Sequence, residues 1–525
     1  MPTTPTFPGL YIEELPSNAR TITAAPTSTT VIVGYTHPYK TKNFNKAVRL
    51  FSFTDYEREF GGLYSSGVTD NNVPHAVNQC FQNGGSDIYV VGLQPQTRDS
   101  SGGILGTGPI PQASLIVGGI RFTALELTDS IQMRVTVNNL QPGNVTGDIT
   151  ITYGNQSETF RGVRISPPTG DPDSIKNFIE NRINAGPGKT GISSLVTVAP
   201  ASGTNYGSSM TLADRLPVLA TMPAGFATVF SAADFINLFQ QDTTLDKVPL
   251  FNILLTPGVT DAGIWSAMLA FAERKRAFVI LDPPAQAAAD DKSAPLPLVA
   301  DSIATLPQSI NGALYFPYLN SLDPLTGSPI ELPPSGFVAG VYARTDTNRG
   351  VWKAPAGLEA TVQGTTGVVL RGQMTDQRQG TLNPIGINCL RTFPNVGTVV
   401  FGSRTQTTAN PSFQQWRYVP VRRFALFLEQ TLLANLKWAV FEPNDQPLWT
   451  ALRITVENFM LSLFTQGAFQ GSKPSQAFRV ICDSTTTTQT DIDNGVVNIL
   501  VAFAPLKPAE FIIIKIAQLA GQTQA

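Results

Sequence analysis

Two short apolar segments at opposite ends of the chain constrain its fold more than anything between them. Near the C-terminus, Glu510-Phe511-Ile512-Ile513-Ile514-Lys515-Ile516 follows the break Ala504-Pro505-Leu506-Lys507-Pro508 and precedes a polar Gly-Gln-Thr-Gln run. Near the N-terminus, Gly9-Leu10-Tyr11-Ile12-Glu13-Glu14-Leu15 lies between Pro8 and Pro16, which makes it an extended piece rather than part of a helix. A strand of this composition is an aggregation hazard unless its backbone donors and acceptors are covered. Two of them on one chain imply that other chains do the covering.

The rest of the chain can build a large core. Hydrophobic residues make up 42% of its 525 positions, so the 44 Gly and 40 Pro read as turns and short strands rather than as disorder. The length suits roughly three or four domains. Charged residues are only 14% and the net charge is −2, which leaves no electrostatic footprint for nucleic acid or an anionic membrane. Cys80, Cys389 and Cys482 are scattered, odd in number and without metal or disulfide spacing, as expected of buried thiols made in a reducing compartment. Met1-Pro2-Thr3-Thr4-Pro5 lacks the features of a signal peptide, and no window approaches the ~18 apolar residues of a membrane span.

Periodicity divides the chain into five parts. Residues 1–26 form a Pro- and Thr-rich arm. Residues 27–95 and 213–379 carry a discontinuous, doubly wound α/β domain. In it, strands are expected at Thr30-Val31-Ile32-Val33-Gly34-Tyr35 and Asp87-Ile88-Tyr89-Val90-Val91-Gly92-Leu93, with helices over 55–62, 73–83 and 263–276. Continuous apolar runs at 248–256, 277–282, 312–317 and 336–342 read as central strands covered on both faces. The stretch 96–212 alternates with period two, as at Gln132-Met133-Arg134-Val135-Thr136-Val137, and reads as an inserted β-rich domain with one helix over 173–185. A C-terminal α+β domain spans 380–507, with helices over 420–441 and from Asn444-Asp445-Gln446-Pro447 to about 466, and strands at 477–482 and 496–503. The last part, 508–525, is a second arm.

Motifs for catalysis fail on their partners. Gly207-Ser208-Ser209-Met210-Thr211 looks like the surround of a subtilisin nucleophile, but the two histidines, His37 before Pro38 and His75 before Ala76, lack the context of a serine base. Gly186-Pro187-Gly188-Lys189-Thr190-Gly191 resembles the end of a phosphate-binding loop, yet Ile183 stands where that loop needs glycine and Pro187 removes an amide. Asp171-Pro172-Asp173 and Asp290-Asp291 lack the ligand count of a calcium site. Neither a cofactor nor a metal is expected.

Several blocks, in order, resemble the contractile tail sheath proteins of phages and phage-tail-like injection systems. They are Pro8-Gly9-Leu10-Tyr11-Ile12-Glu13-Glu14, Thr27-Ser28-Thr29-Thr30-Val31-Ile32-Val33-Gly34 and Gly350-Val351-Trp352-Lys353-Ala354-Pro355-Ala356-Gly357. Further on come Ile387-Asn388-Cys389-Leu390-Arg391-Thr392-Phe393-Pro394, Gly397 to Thr405, Arg422-Arg423-Phe424, Phe441-Glu442-Pro443-Asn444-Asp445 with Leu448-Trp449, Gly467-Ala468-Phe469 with Gly471, and Pro508-Ala509-Glu510-Phe511. Residues 96–212 fall outside the match, as insertions that face outward and vary in that family do.

The resemblance implies a structural subunit rather than an enzyme. Subunits would stack as rings around an inner tube between a baseplate and a terminal cap, and contraction would drive the tube through a target envelope. The arms, with Leu10, Tyr11, Ile12, Phe511, Ile512, Ile513 and Ile514, would exchange strands with neighbours. The inner domain would grip the tube through charges around its first helix: Arg417, Arg422, Arg423, Glu429, Lys437, Glu442 and Asp445. Assembly in a bacterial cytoplasm and release by lysis would follow. The competing expectations are an adhesive shell protein that binds surfaces through the inserted domain and, more remotely, a subtilisin-like hydrolase.

Overall fold

The computed structural model describes residues 21–67, 69–94, 96–98, 104–106, 112–141, 146–187, 189, 191–201, 218–220, 227–284, 308–369, 373–407 and 410–516. Leu10, Tyr11, Ile12, the Gly207–Thr211 motif and Asp290-Asp291 lie outside these residues. The described chain forms two compact units: residues 27–349 with 354–422, and residues 21–26 with 350–353 and 423–516.

The larger unit is built on an eight-stranded sheet. Its first strands are β1 (Thr30–Tyr35), β2 (Ala47–Leu50) and β3 (Ile88–Leu93). The inserted stretch then supplies β4 (Gln96–Arg98), β5 (Ile104–Gly106), β6 (Ser114–Val117), β7 (Ile120–Ala124), β8 (Met133–Asn138), β9 (Thr146–Tyr153), β10 (Gln156–Arg164), β11 (Val196–Pro200), β12 (Val218–Ala220) and β13 (Ala227–Val229). The sheet resumes with β14 (Ile253–Leu255), β15 (Phe278–Leu281) and β16 (Gly312–Phe316). A small antiparallel sheet of β17 (Leu319–Leu322), β18 (Pro329–Leu332) and β19 (Gly367–Val368) follows, and β20 (Ile387–Phe393) and β21 (Gly397–Val400) complete the large one.

The order β2-β3-β1-β14-β15-β16-β20-β21 is parallel from β3 to β20, with antiparallel strands at both edges. β1, β14, β15 and β16 are buried along their whole length, as unalternating apolar runs between two helical layers must be. Chain order reverses between β1 and β14. At the carboxyl end of that region, where doubly wound folds hold ligands, this chain places its own side chains. Asp282 accepts from Gly258 N at 2.9 Å, Ser335 N at 2.8 Å and Ser335 Oγ at 2.6 Å, and its burial raises its pKa to about 6.

Several expected elements differ. The run 336–342 is not a strand but the start of a helix, Ser335–Arg349, buried on every side through Ala343. An apolar run of this length has no periodicity to separate a buried helix from a central strand. Its spaced glycines supply the missing signal: a Cβ on Gly336 would sit 2.6 Å from Ala76 Cα, and one on Gly340 2.5 Å from the Cys80 carbonyl oxygen. Both glycines lie on the helix face that packs closely against the helix Asn72–Asn83, where any larger side chain would clash. In the run 248–256, only Ile253–Leu255 form the strand; just before it, Asn252 accepts from Thr29 N–H through its Oδ1 at 3.0 Å. The expected helix 173–185 is split into Pro172–Lys176 and Ile179–Ile183 by Phe178, which turns extended to enter the core. The sheet and its compact unit also run past residue 380, through β20, β21 and on to Arg422.

The inserted stretch has a core of its own between the sheets β6-β7-β11 and β10-β9-β8-β12, with Phe122, Val135, Ile149, Ile151 and Ile179 buried in it. Leu325, from the turn between β17 and β18, inserts into the same core. Buried polar contacts seat the insertion on the sheet. His37 Nδ1 accepts from the N–H groups of Tyr39 and Lys40, so Nε2 carries the proton and donates it to Glu126 Oε2 at 2.9 Å. Lys40 pairs with the other oxygen of Glu126. Burial pushes His37 below its ordinary pKa.

Candidate assembly surface

The smaller unit is organised by two helices. The helix Val419–Asn435 enters it after Arg422, and Phe424, Phe427 and Leu428 lie on the face that packs inward. Phe424 is the hub, its ring edge-on to Trp352 at 5.9 Å, Phe469 at 5.3 Å and Phe503 at 5.5 Å. The helix Gln446–Thr465 starts where expected: Asp445 caps it by accepting from Leu448 N at 3.2 Å, and Pro447 stands in the first turn. Leu448, Leu452, Val456, Phe459, Met460 and Leu463 are all buried. A two-stranded antiparallel sheet, β22 (Phe478–Ile481) with β23 (Leu500–Phe503), packs on the same core. The strand expected over 496–503 is thus shorter at its start.

Beyond β23 the chain presents an apolar segment that its own unit leaves exposed. Phe511, Ile512, Ile513, Ile514 and Ile516 expose 72%, 84%, 81%, 80% and 93% of their surfaces. None of 506–516 belongs to a strand among the described residues. Burying a side chain of this kind is worth about 1.5–3 kcal/mol, so leaving five in water forgoes on the order of 10 kcal/mol. The sheet nearest in sequence has only two strands among the described residues, and its backbone can accept more.

The charged residues singled out from sequence are only partly brought together. Arg422 is buried in the larger unit, its Nε donating to Asn311 Oδ1 at 2.7 Å and its guanidinium 5.0 Å from the Trp416 ring. Arg423 is 3% exposed. Arg417 is half-buried, with its guanidinium 5.8 Å from the Tyr418 ring. Arg422 and Arg423 are thus buried within the folded chain, and Arg417 is partly so. Glu429, Lys437, Glu442 and Asp445 are exposed in the smaller unit.

Between Lys437 and Glu442 lies what charge counting missed. Val440 is 62% exposed and Phe441 102%, and Phe441 holds φ at +71°, a left-handed conformation that a bulky residue adopts only under constraint. A fully exposed phenylalanine on a strained turn has no folding rationale within its own unit. Its position after the short 3-10 turn Lys437–Ala439 and before Pro443 was the available signal.

Among the described residues no group of three or more His, Cys, Asp or Glu side chains could hold a metal ion, and no helix is long and apolar enough to cross a membrane. His75 is buried, and Lys189 of the loop-like motif pairs with Glu180 at 3.1 Å.

Comparison with known proteins agrees with this architecture. The phage tail sheath protein central domain matches residues 247–406, and the phage tail sheath C-terminal domain matches residues 412–518. The tail sheath protein of Vibrio phage KVP40 is 27% identical over 182 residues, 34% of this chain and 25% of the phage protein. A prophage major tail sheath protein of Pseudomonas aeruginosa strain UCBPP-PA14 is 26% identical over 277 residues, 51% of this chain and 65% of that protein. The chain thus spans about a quarter of the phage relative and less than two thirds of the prophage one. Among solved structures, the contracted sheath complex of the extracellular contractile injection system PVC superposes with a TM-score of 0.58 at 22% identity, covering 98% of both chains. The helical sheath of the anti-feeding prophage, also contracted, gives 0.55 at 24% identity over 98% of this chain and 100% of that one. A sheath tail protein of Desulfitobacterium hafniense gives 0.55 at 12% identity, over 95% of this chain and 100% of that one. With both sheath domains matched in order and the fold shared from end to end, this chain belongs to the phage tail sheath family, a family of structural subunits rather than enzymes.

Proposed function

We propose that this chain polymerises as rings around an inner tube, is joined to its neighbours by exchanged end strands, and contracts to drive the tube through a target envelope. The observation that carries the reading is the exposed run Phe511 to Ile516 beside a two-stranded sheet. A strand donated to a neighbour's sheet gains main-chain hydrogen bonds and buries its apolar face, and it tethers two bodies without fixing their relative rotation. The N-terminal segment with Leu10, Tyr11 and Ile12 has the same composition and is assigned the same role.

In this reading 1–26 and 508–525 are arms, the discontinuous sheet domain is the body, the 96–212 insertion faces outward, and the C-terminal domain faces the tube. Lys437, Val440, Phe441 and Glu442 then form the tube-facing tip, with Glu429 and Asp445 beside it, while Arg422 is held inside the larger unit by Asn311 and Trp416. A baseplate and a terminal cap would bound the polymer, which assembles in a bacterial cytoplasm and leaves by lysis. Negative-stain microscopy of the chain expressed with its tube protein tests this. Long striated hollow cylinders are expected; monodisperse subunits with the tube present would refute it.

A further inference from the structure

Where the N-terminal arm leaves the smaller unit, it is gripped by a side chain acting as a strand. The Oδ1 of Asn435 accepts from Thr23 N at 3.0 Å, and its Nδ2 donates to Thr23 O at 2.8 Å, so one carboxamide satisfies both backbone groups of one residue as a neighbouring strand would. One helical turn earlier, Thr431 Oγ1 accepts from Ala25 N at 3.1 Å. Ile22 packs against the core around Phe424 and Leu428. More than 400 residues separate the partners in sequence, so this is tertiary anchoring rather than local turn chemistry.

Asn435 is held in turn. Its Nδ2 also donates to Thr431 O at 2.8 Å, which fixes the carboxamide against its own helix and orients both its polar atoms toward the arm. The helix ends at this residue, and the chain passes directly into Lys437–Ala439 and the exposed tip Val440-Phe441. Arm exit and exposed tip are therefore two ends of one short rigid segment.

We propose that Asn435 and Thr431 form a clamp that sets the direction in which the N-terminal arm leaves the subunit and couples pull on that arm to the tip at 440–441. The clamp's partner is the arm's backbone, not its side chains, so its geometry requires a carboxamide at 435 and tolerates substitution at Thr23. The coupling rests on the sheath reading above; the clamp itself does not.

The test separates the two. In the unpolymerised full chain, N435A should speed amide exchange at Thr23 and Ala25 on the order of tenfold, the size expected for losing one or two modest hydrogen bonds, while T23V should leave it unchanged. Asn435→Asp, which keeps the acceptor and loses the donor, should fall between. Unaltered exchange in N435A would overturn the clamp. With the tube protein present, N435A should give shorter or disordered cylinders at the same thermal midpoint as the parent chain; cylinders of normal length and order would overturn the coupling while leaving the sheath reading intact. Failure of the parent chain to form cylinders would instead overturn the sheath reading, and the coupling with it.

Discussion

Replacing Ile512 and Ile514 together by alanine should raise the concentration needed for polymerisation without touching the fold. In an extended segment alternate residues share a face, so Ile512, Ile514 and Ile516 form one wholly apolar side, while Lys515 ends the other side with Phe511 and Ile513. The face without a charge is the one a neighbour's core can bury. Each Ile→Ala change removes about three carbons at roughly 0.8 kcal/mol each, so the pair weakens every strand-mediated joint by about 5 kcal/mol. At 1.4 kcal/mol per tenfold, the concentration needed for polymers should rise by about three orders of magnitude. Ile512 and Ile514 are 84% and 80% exposed in the subunit, so the thermal midpoint should move by no more than surface substitutions usually allow, about 0.5 kcal/mol. Lys515→Ala is the control and should cost little in either assay. Sedimentation of polymer against total concentration, with calorimetry of the dilute subunit, reads both. Polymers at the parent concentration, or a thermal midpoint lowered by several degrees, would refute the reasoning, the second because it would mean these residues pack within their own chain.

Phe441→Gly should leave the subunit as stable or slightly more so, because glycine accepts φ of +71° without strain and no buried contact is lost; sheath assembly on the tube should weaken, and co-sedimentation with the tube that matches the parent would count against the tip. Asp282 makes the pH dependence specific. Its pKa is raised from 3.8 to about 6 by burial, so the folded state binds the proton more tightly, and stability falls as pH rises from about 4 through about 6, by roughly 3 kcal/mol for this group. Asp282→Asn should flatten that part of a denaturation-versus-pH curve, whatever it does to absolute stability, and parallel curves for parent and variant would exclude the assignment. Asp70, also raised to about 6 by burial, keeps part of the fall. His37 acts with the opposite sign, its depressed pKa removing stability as pH drops below about 6.5.

The body of the fold was legible where one rule applied at a time. β1, β3, β15 and β16 are apolar runs of strand length bounded by turns, and the helix Gln446–Thr465 declares its start through Asp445 and Pro447 and its inner face through six apolar residues at helical spacing. Reading failed where two rules competed. The run from Gly336 to Tyr342 satisfies the strand pattern because every side of its helix is buried, and only the packing of Gly336 and Gly340 against Ala76 and Cys80 decides. Phe178 breaks a helix that local propensity would have continued, because a buried phenylalanine gains more in the core between the insertion's sheets than one more helical turn would.

The assembly surface shows why charge is a poor guide to an interface and exposed apolar area a better one. Arg422 and Arg423 follow the first turn of a helix and look like surface cations, yet a planar guanidinium stacks on rings and finds buried acceptors, as Arg422 does between Trp416 and Asn311. Nothing in the residue type distinguishes that use from a contact with a partner, so their burial in the subunit was not legible in the sequence. An exposed run of isoleucines admits no such ambiguity, because water is a poor solvent for it in any setting. Phe441 extends the same logic to a single residue: its ring is in water and its backbone is strained, two costs that the isolated subunit bears without return. Both features lie in the unit that also anchors the N-terminal segment, so that unit carries the exposed apolar run, the anchor at Thr23 and the exposed Phe441. In the proposed sheath, joints and tube contacts would share this one unit, which could then turn without letting go of its neighbours, the mechanical requirement of contraction.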